Sequence, residues 1–206
     1  MSLLFIFDMD DVLYGYDWRA RSEALGALTG LHSDELQERW WRKGRELEAE
    51  SGLHPSPEAY LLAFNAAIGV DVSESDWVSI RGNAMTPMTE SLAAVKRAGQ
   101  LGQVTLLTNN GPLAGKHLGT LAPELVPLFG EHLYTSSDYA ARKPDPKVFE
   151  RVLKRYGTAA EDAFFADDLP ENIAGAESLG ITAHLFTTGA GLLEAIEAFA
   201  ASRALP

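Results

Sequence analysis

From Pro87 onward, short apolar runs alternate with longer amphipathic stretches, and nothing in the chain constrains its fold more than that rhythm. The pattern predicts helices at Met88–Ala98, Leu113–Phe129, Pro146–Tyr156, Pro170–Leu179 and Leu192–Ala200. Between them it predicts strands at Gln103–Leu107, His132–Thr135, Ala163–Ala166 and Ile181–Phe186, with Gly180 as a left-handed stop after its helix. Leu3–Phe7, continuously apolar instead of alternating, predicts a first strand buried on both faces. Strands that alternate with helices imply an α/β fold, a mainly parallel sheet covered on both sides.

Between that first strand and Pro87 the texture is helical. Helices are expected near Trp18–Leu28, Ser33–Glu50, Ser56–Ile68 and Ser73–Ala84, with Ser33, Ser56 and Ser73 as caps and Pro57 in a first turn. A chain of 206 residues accommodates one large domain or a core with such an inserted subdomain. A net charge of −12 argues against nucleic acid or an anionic membrane as partner. Without cysteine there is no disulfide framework, thiolate nucleophile or Cys-based metal site, and a reducing cytoplasm is the expected home. The apolar run at the N-terminus is too short for a signal sequence or a membrane span.

Ligands of such sheets gather beyond the carboxyl ends of the strands, so those loops carry the functional reading. "LLFIFDMDDVL" runs from buried strand into Asp8, Asp10 and Asp11, like charges that are costly to hold together out of water. "AFFA" ends in a second acidic pair, Asp167 and Asp168. Carboxylates from two strand ends suit Mg²⁺, a hard cation that takes oxygen ligands. Thr108, Asn109, Asn110 and Gly111 follow "VTLL" and suit phosphate, through a hydroxyl and the N–H groups of a loop entering a helix. Lys143, in "ARKPDP", supplies a positive charge for phosphate and for a neighbouring carboxylate. One carboxylate can then attack phosphorus while a second protonates the leaving oxygen.

These segments resemble, in order, the motifs of the haloacid dehalogenase superfamily: "DMDDV" the first, "LLTNN" the second, "RKPDPKVF" the third and "FFADDLPENIAGAESLGI" the fourth. The resemblance implies a Rossmann-like core, residues 1–15 and 87–206, with an inserted α-helical cap at 16–86, as in small sugar-phosphate phosphatases. It implies Asp8 as nucleophile and metal ligand, and Asp10 as general acid and base, its carbonyl also on the metal. Asp168 would bind Mg²⁺ directly and Asp167 through a water, Thr108 and Asn109 would hold the phosphoryl group, and Lys143 would bridge Asp8 and phosphate. Asn172 is expected to give a supporting hydrogen bond, and Asp11 to be a turn residue bonded to local backbone.

The activity expected is Mg²⁺-dependent hydrolysis of a small phosphomonoester through an aspartyl-phosphate, with a sugar phosphate favoured over a nucleotide. Dehalogenases usually lack an acid at the position of Asp10, which favours phosphate esters over 2-haloacids. Phosphosugar mutation and a non-catalytic binding role on the same fold also compete with hydrolysis. The partner expected is a small phosphorylated metabolite, and neither the cap residues that set specificity nor the oligomeric state is readable. The five histidines read as structural or surface residues. Trp18 and the run Trp40, Trp41, Arg42, Lys43 and Arg45 read as packing and solvated residues instead of ligand contacts.

Overall fold

Leu3–Phe7 forms β1 at the centre of a four-stranded sheet, in a computed structural model that describes residues 3–204. Its neighbours are β4 (Gly102–Leu106) and β5 (Ala163–Asp167), and β6 (Thr182–Leu185) completes the order β4-β1-β5-β6, every pairing parallel. Side chains of β1 alternate between two cores, as the two-residue period of a strand requires. Phe5 and Phe7 face α6 (Thr89–Leu101) and α11 (Gly189–Ala204), where Val95, Leu192 and Phe199 meet them. Leu4 and Ile6 face α9 (Pro146–Tyr156) and α10 (Pro170–Glu177), packing with Phe149, Phe165 and Ile173. Burial on both faces is why β1 reads as an unbroken apolar run.

The chain leaves β1 through β2 (Tyr14–Tyr16) and returns through β3 (Met85–Pro87), which pair antiparallel with Tyr16 opposite Met85. Sequence periodicity misses this ribbon because three residues are too few to show a period. Between its strands lie α1 (Trp18–Thr29), α2 (Ser33–Leu36), α3 (Arg45–Glu50), α4 (Pro57–Ile68) and α5 (Glu74–Asn83). Trp40, Tyr60, Phe64 and Trp77 form their aromatic core, with Trp40 edge-on to Tyr60 and Phe64 at 5.5 and 5.2 Å.

The structure corrects several expected elements. Ser33–Glu50 is not one helix: a π-helical turn occupies Gln37–Trp41, and Gly44 at φ 72° breaks the chain before α3. His32, not Ser33, caps α2, and the Ser33 hydroxyl pairs with Ser22 instead. Ser56 and Ser73 do cap their helices. Leu113–Phe129 divides into α7 (Pro112–Leu121) and, beyond a one-turn segment at Pro123–Leu125, α8 (Val126–Phe129). His132–Thr135 is extended but not a regular strand. Leu106 N–H donates to the His132 carbonyl at 2.9 Å and Thr108 bridges to Thr135. Gly130 before it and the capped turn at Ser136–Tyr139 leave too little chain for a longer ladder.

Among the described residues no helix is long and apolar enough to cross a membrane.

Candidate active site

The register places three strand ends side by side. Phe7 lies opposite both Leu106 and Ala166, and the Asp8 N–H donates to the Ala166 carbonyl at 3.0 Å. Asp8, Thr108 and Asp167 therefore leave the sheet at the same edge. The chain turns sharply at Asp11, whose φ is 58°; its carboxylate accepts from the Tyr16 N–H at 3.0 Å, the local turn expected of it.

Lys143 arrives from the loop before α9 and is wholly buried. Its ammonium lies 2.6 Å from Asp167 Oδ2 and 2.9 Å from Asp8 Oδ1. Two further contacts hold the lysine in place. The Asn109 side chain donates to the Lys143 carbonyl and accepts from the Lys143 N–H, both at 2.9 Å. On the other side, a Cβ on Gly175 of α10 would collide with the Pro144 carbonyl, so that position needs glycine for the helix to approach the loop. Asp167 is equally enclosed: Oδ1 accepts from the Leu169 N–H and from Asn172 Nδ2, each at 2.9 Å, while Oδ2 holds Lys143. Asn172 thus makes the supporting bond expected of it. The Thr108 hydroxyl accepts from Asn110 at 2.8 Å, which leaves its own proton free to donate outward.

Charge in this cluster is unbalanced. Oxygens of Asp8, Asp167 and Asp168 lie within 4.8 Å of one another, and Lys143 is the cation among them. Burial pushes the Asp8 carboxyl up to about 8, with Lys143 pulling it down and Asp167 adding to the rise. Burial, then the neighbouring Asp167, also raises Asp168. Burial alone would lower Lys143, but Asp8 and Asp167 outweigh it and keep the ammonium charged. With all three carboxylates ionised, one ammonium would leave two negative charges uncompensated. A divalent cation fits that deficit and the all-oxygen donor set.

Asp10 faces the helical segment. Oδ2 is bound by Arg81 of α5 at 2.7 Å, whereas Oδ1 is buried without a partner. Arg81 is itself buried and lies over the Tyr16 ring at 4.6 Å. A second ion pair crosses the same gap, from Glu50 of α3 to Arg142 at 2.6 Å. Beneath them is a cavity of about 310 Å³ lined by Asp8, Asp10, Thr108, Asn109, Lys143 and Asp168. Asp167 stands behind Lys143, outside that lining. A neighbouring cavity of about 290 Å³ shares Asp10, Asn109 and Glu50 and extends to Tyr16, Trp18, Arg21, Trp41 and Arg81.

A family model for haloacid dehalogenase-like hydrolases matches residues 3–180. The chain belongs to that family. It is 26% identical over 188 residues to phosphatase MT3486 of Mycobacterium tuberculosis (strain CDC 1551 / Oshkosh), covering 87% of this chain and 85% of that protein. Two solved structures share the fold of this haloacid dehalogenase-like hydrolase. "A predicted HAD-like family hydrolase" from Porphyromonas gingivalis superposes with a TM-score of 0.78 at 22% identity, covering 96% of this chain and 97% of that one. A HAD family enzyme from Bacteroides thetaiotaomicron, in complex with magnesium and inorganic phosphate, gives 0.77 at 22% identity over 92% and 96% of the two chains.

Sequence reasoning missed Arg21, Arg81 and Glu50, each an isolated charge in a helical segment with nothing local to distinguish it. Trp40 is core, as expected, and Arg42, Lys43 and Arg45 are not buried. Trp18 and Trp41, read as packing residues, do pack edge-on at 4.6 Å, yet both also line the second cavity.

Proposed function

We propose that this hydrolase is a Mg²⁺-dependent phosphatase of small phosphomonoesters, with residues 16–86 acting as a cap over its active site. The observation that carries the reading is the enclosed Lys143, paired with Asp8 and Asp167 beside an Asp10 whose free oxygen points to no protein donor. Asp8 attacks phosphorus, forming a carboxylate–phosphorus bond as the ester oxygen departs. Asp10 gives that oxygen its proton, then removes one from the water that cleaves the aspartyl-phosphate and returns Asp8. The Thr108 hydroxyl and the Asn109 N–H hold phosphoryl oxygens; the Asn109 side chain, bonded twice to Lys143, positions that residue instead.

Asp8, Asp168 and the Asp10 carbonyl would hold Mg²⁺, and Asp167, whose two oxygens already have protein partners, would reach it only through a water. Bound there, the ion would supply positive charge for the phosphoryl oxygens and keep Asp8 ionised. A proton donor such as Asp10 suits an alkoxide leaving group and serves no purpose for halide. The cavity of about 290 Å³ beside Asp10 is where the alcohol portion of the ester would lie, with a sugar phosphate the favoured class.

The test is a set of phosphorylated metabolites assayed for released phosphate with Mg²⁺, with EDTA and after Mg²⁺ is restored. Release that stops with EDTA and returns with the metal is expected. Release that persists without metal, or halide release from 2-haloacids in its place, overturns the reading.

A further inference from the structure

Arg21, in the first turn of α1, is 5% exposed. One guanidinium nitrogen donates to the Tyr16 hydroxyl at 2.7 Å, while Nη2 is buried with no partner. The rings of Trp18, Trp41 and Trp77 surround the cation at 5.6, 5.7 and 5.2 Å from the guanidinium carbon. Aromatic faces stabilise a cation, but they accept its hydrogens poorly and exclude the water that otherwise would. A buried charge without a counter-ion is costly, and proteins rarely leave one unless something binds it.

No carboxylate lining that cavity forms an ion pair with Arg21. Asp10 holds Arg81 at 2.7 Å and Glu50 holds Arg142 at 2.6 Å. Glu46 accepts from the Trp40 indole and from the Tyr60 hydroxyl, the latter at 2.9 Å. Arg81 also keeps an unpartnered donor there, its buried Nε. The pocket therefore offers two guanidinium groups with unmet hydrogen-bond donors, and none of its acids is ion-paired with Arg21. It opens beside Asp10, on the side where a leaving group would lie. A neutral hydroxyl would satisfy one N–H and leave the charge of Arg21 unmatched; an anionic group would satisfy both.

We propose that Arg21 is the specificity-determining residue of this site, binding a second anionic group, a carboxylate or a second phosphate, carried on the alcohol portion of the substrate. The inference rests on the phosphatase reading for the orientation of that substrate, not for the binding itself. Arg21 fixes the remote end of the ester, its tryptophans hold the guanidinium plane, and Arg81 lies between the anion and Asp10.

Binding is measured by calorimetry in the Asp8→Asn background, which removes turnover, with phosphoglycerate esterified at its terminal carbon, glycerol phosphate and glycerol bisphosphate as matched probes. Both doubly anionic probes, or one of them, should bind at least ~10-fold more tightly than glycerol phosphate. Whichever is preferred identifies the carboxylate or the phosphate as the natural group. Arg21→Gln should erase the preference and change glycerol phosphate binding less than about threefold. Should Gln prevent folding, Arg21→Met, of similar length and without charge, serves in its place, with a thermal melt as control. Equal affinity for all probes, or a preference that survives removal of Arg21, overturns the proposal. Selective binding with no phosphate released by the unmutated enzyme from any member of the phosphorylated metabolite set would support it while refuting the phosphatase reading, so the two failures are distinct.

Discussion

On the sheet side of the cleft Lys143 meets two carboxylates at 2.6 and 2.9 Å; on the helical side Arg21 meets none. Both cations are buried; Lys143 owes its ionic partners to residues distant in the chain, and Arg21 owes Trp41 and Trp77 to the same cause. The difference is in what completes them. Lys143 is finished by the protein itself, held by Asp8, Asp167 and the Asn109 clamp whatever the substrate. Arg21 is held in place by three tryptophans that leave a donor open. On the proposed phosphatase reading the first wall handles the same phosphoryl group in every substrate, which calls for an invariant arrangement. The second wall can vary with the alcohol, since it takes no part in the bond that breaks.

The strongest way to break this contrast is to remove the proposed nucleophile. Asp8→Asn should lower kcat by about 10⁴-fold or more in single-turnover phosphate release. It should still melt as a folded protein, because Asp167 keeps Lys143 paired. Activity near that of the unmutated enzyme would shift the chemistry away from the sheet edge.

A smaller effect sharpens the comparison of the two cations. Lys143→Met leaves Asp8 and Asp167 buried without their shared partner, and urea denaturation should show a loss of about 3–5 kcal/mol. Arg21→Met breaks no ion pair, so its loss should be less than half as large. Equal losses would mean that Arg21 is as much a structural ion as Lys143.

The smallest effect concerns the ion pair that joins the two walls. Burial raises Glu50 from 4.5 to about 7, with Arg142 offsetting part of the rise. Folded Glu50 therefore keeps its proton where the unfolded chain releases it. This contribution to stability is complete below pH 4.5 and is lost as pH climbs to about 7. Glu50→Gln should flatten the stability profile across that window by the order of 1–3 kcal/mol. An unchanged slope would assign the titration to another group.

Much of the molecule is legible in the chain before it is folded. The buried β1, the parallel sheet and the polar residues at its strand ends all follow from local pattern, because a strand's period and the chemistry at its end lie within a few neighbouring residues. The missed elements had too little chain or a competing local signal. The β2–β3 ribbon is three residues long on each side, and Gly44 interrupts a stretch whose apolar spacing still reads as helix.

Sequence by itself determined that the core is a mainly parallel sheet, and the set of acids, threonine and lysine that gathers at one edge. Tertiary structure alone decided that Asp167 has both oxygens engaged, that Asn109 clamps Lys143, and that Arg21 and Arg81 face the acids. The reason is the range of the forces involved. Periodicity acts between neighbours, whereas the charge of a buried group is settled by whatever the fold brings against it, as with Arg81 and Asp10, 71 residues apart.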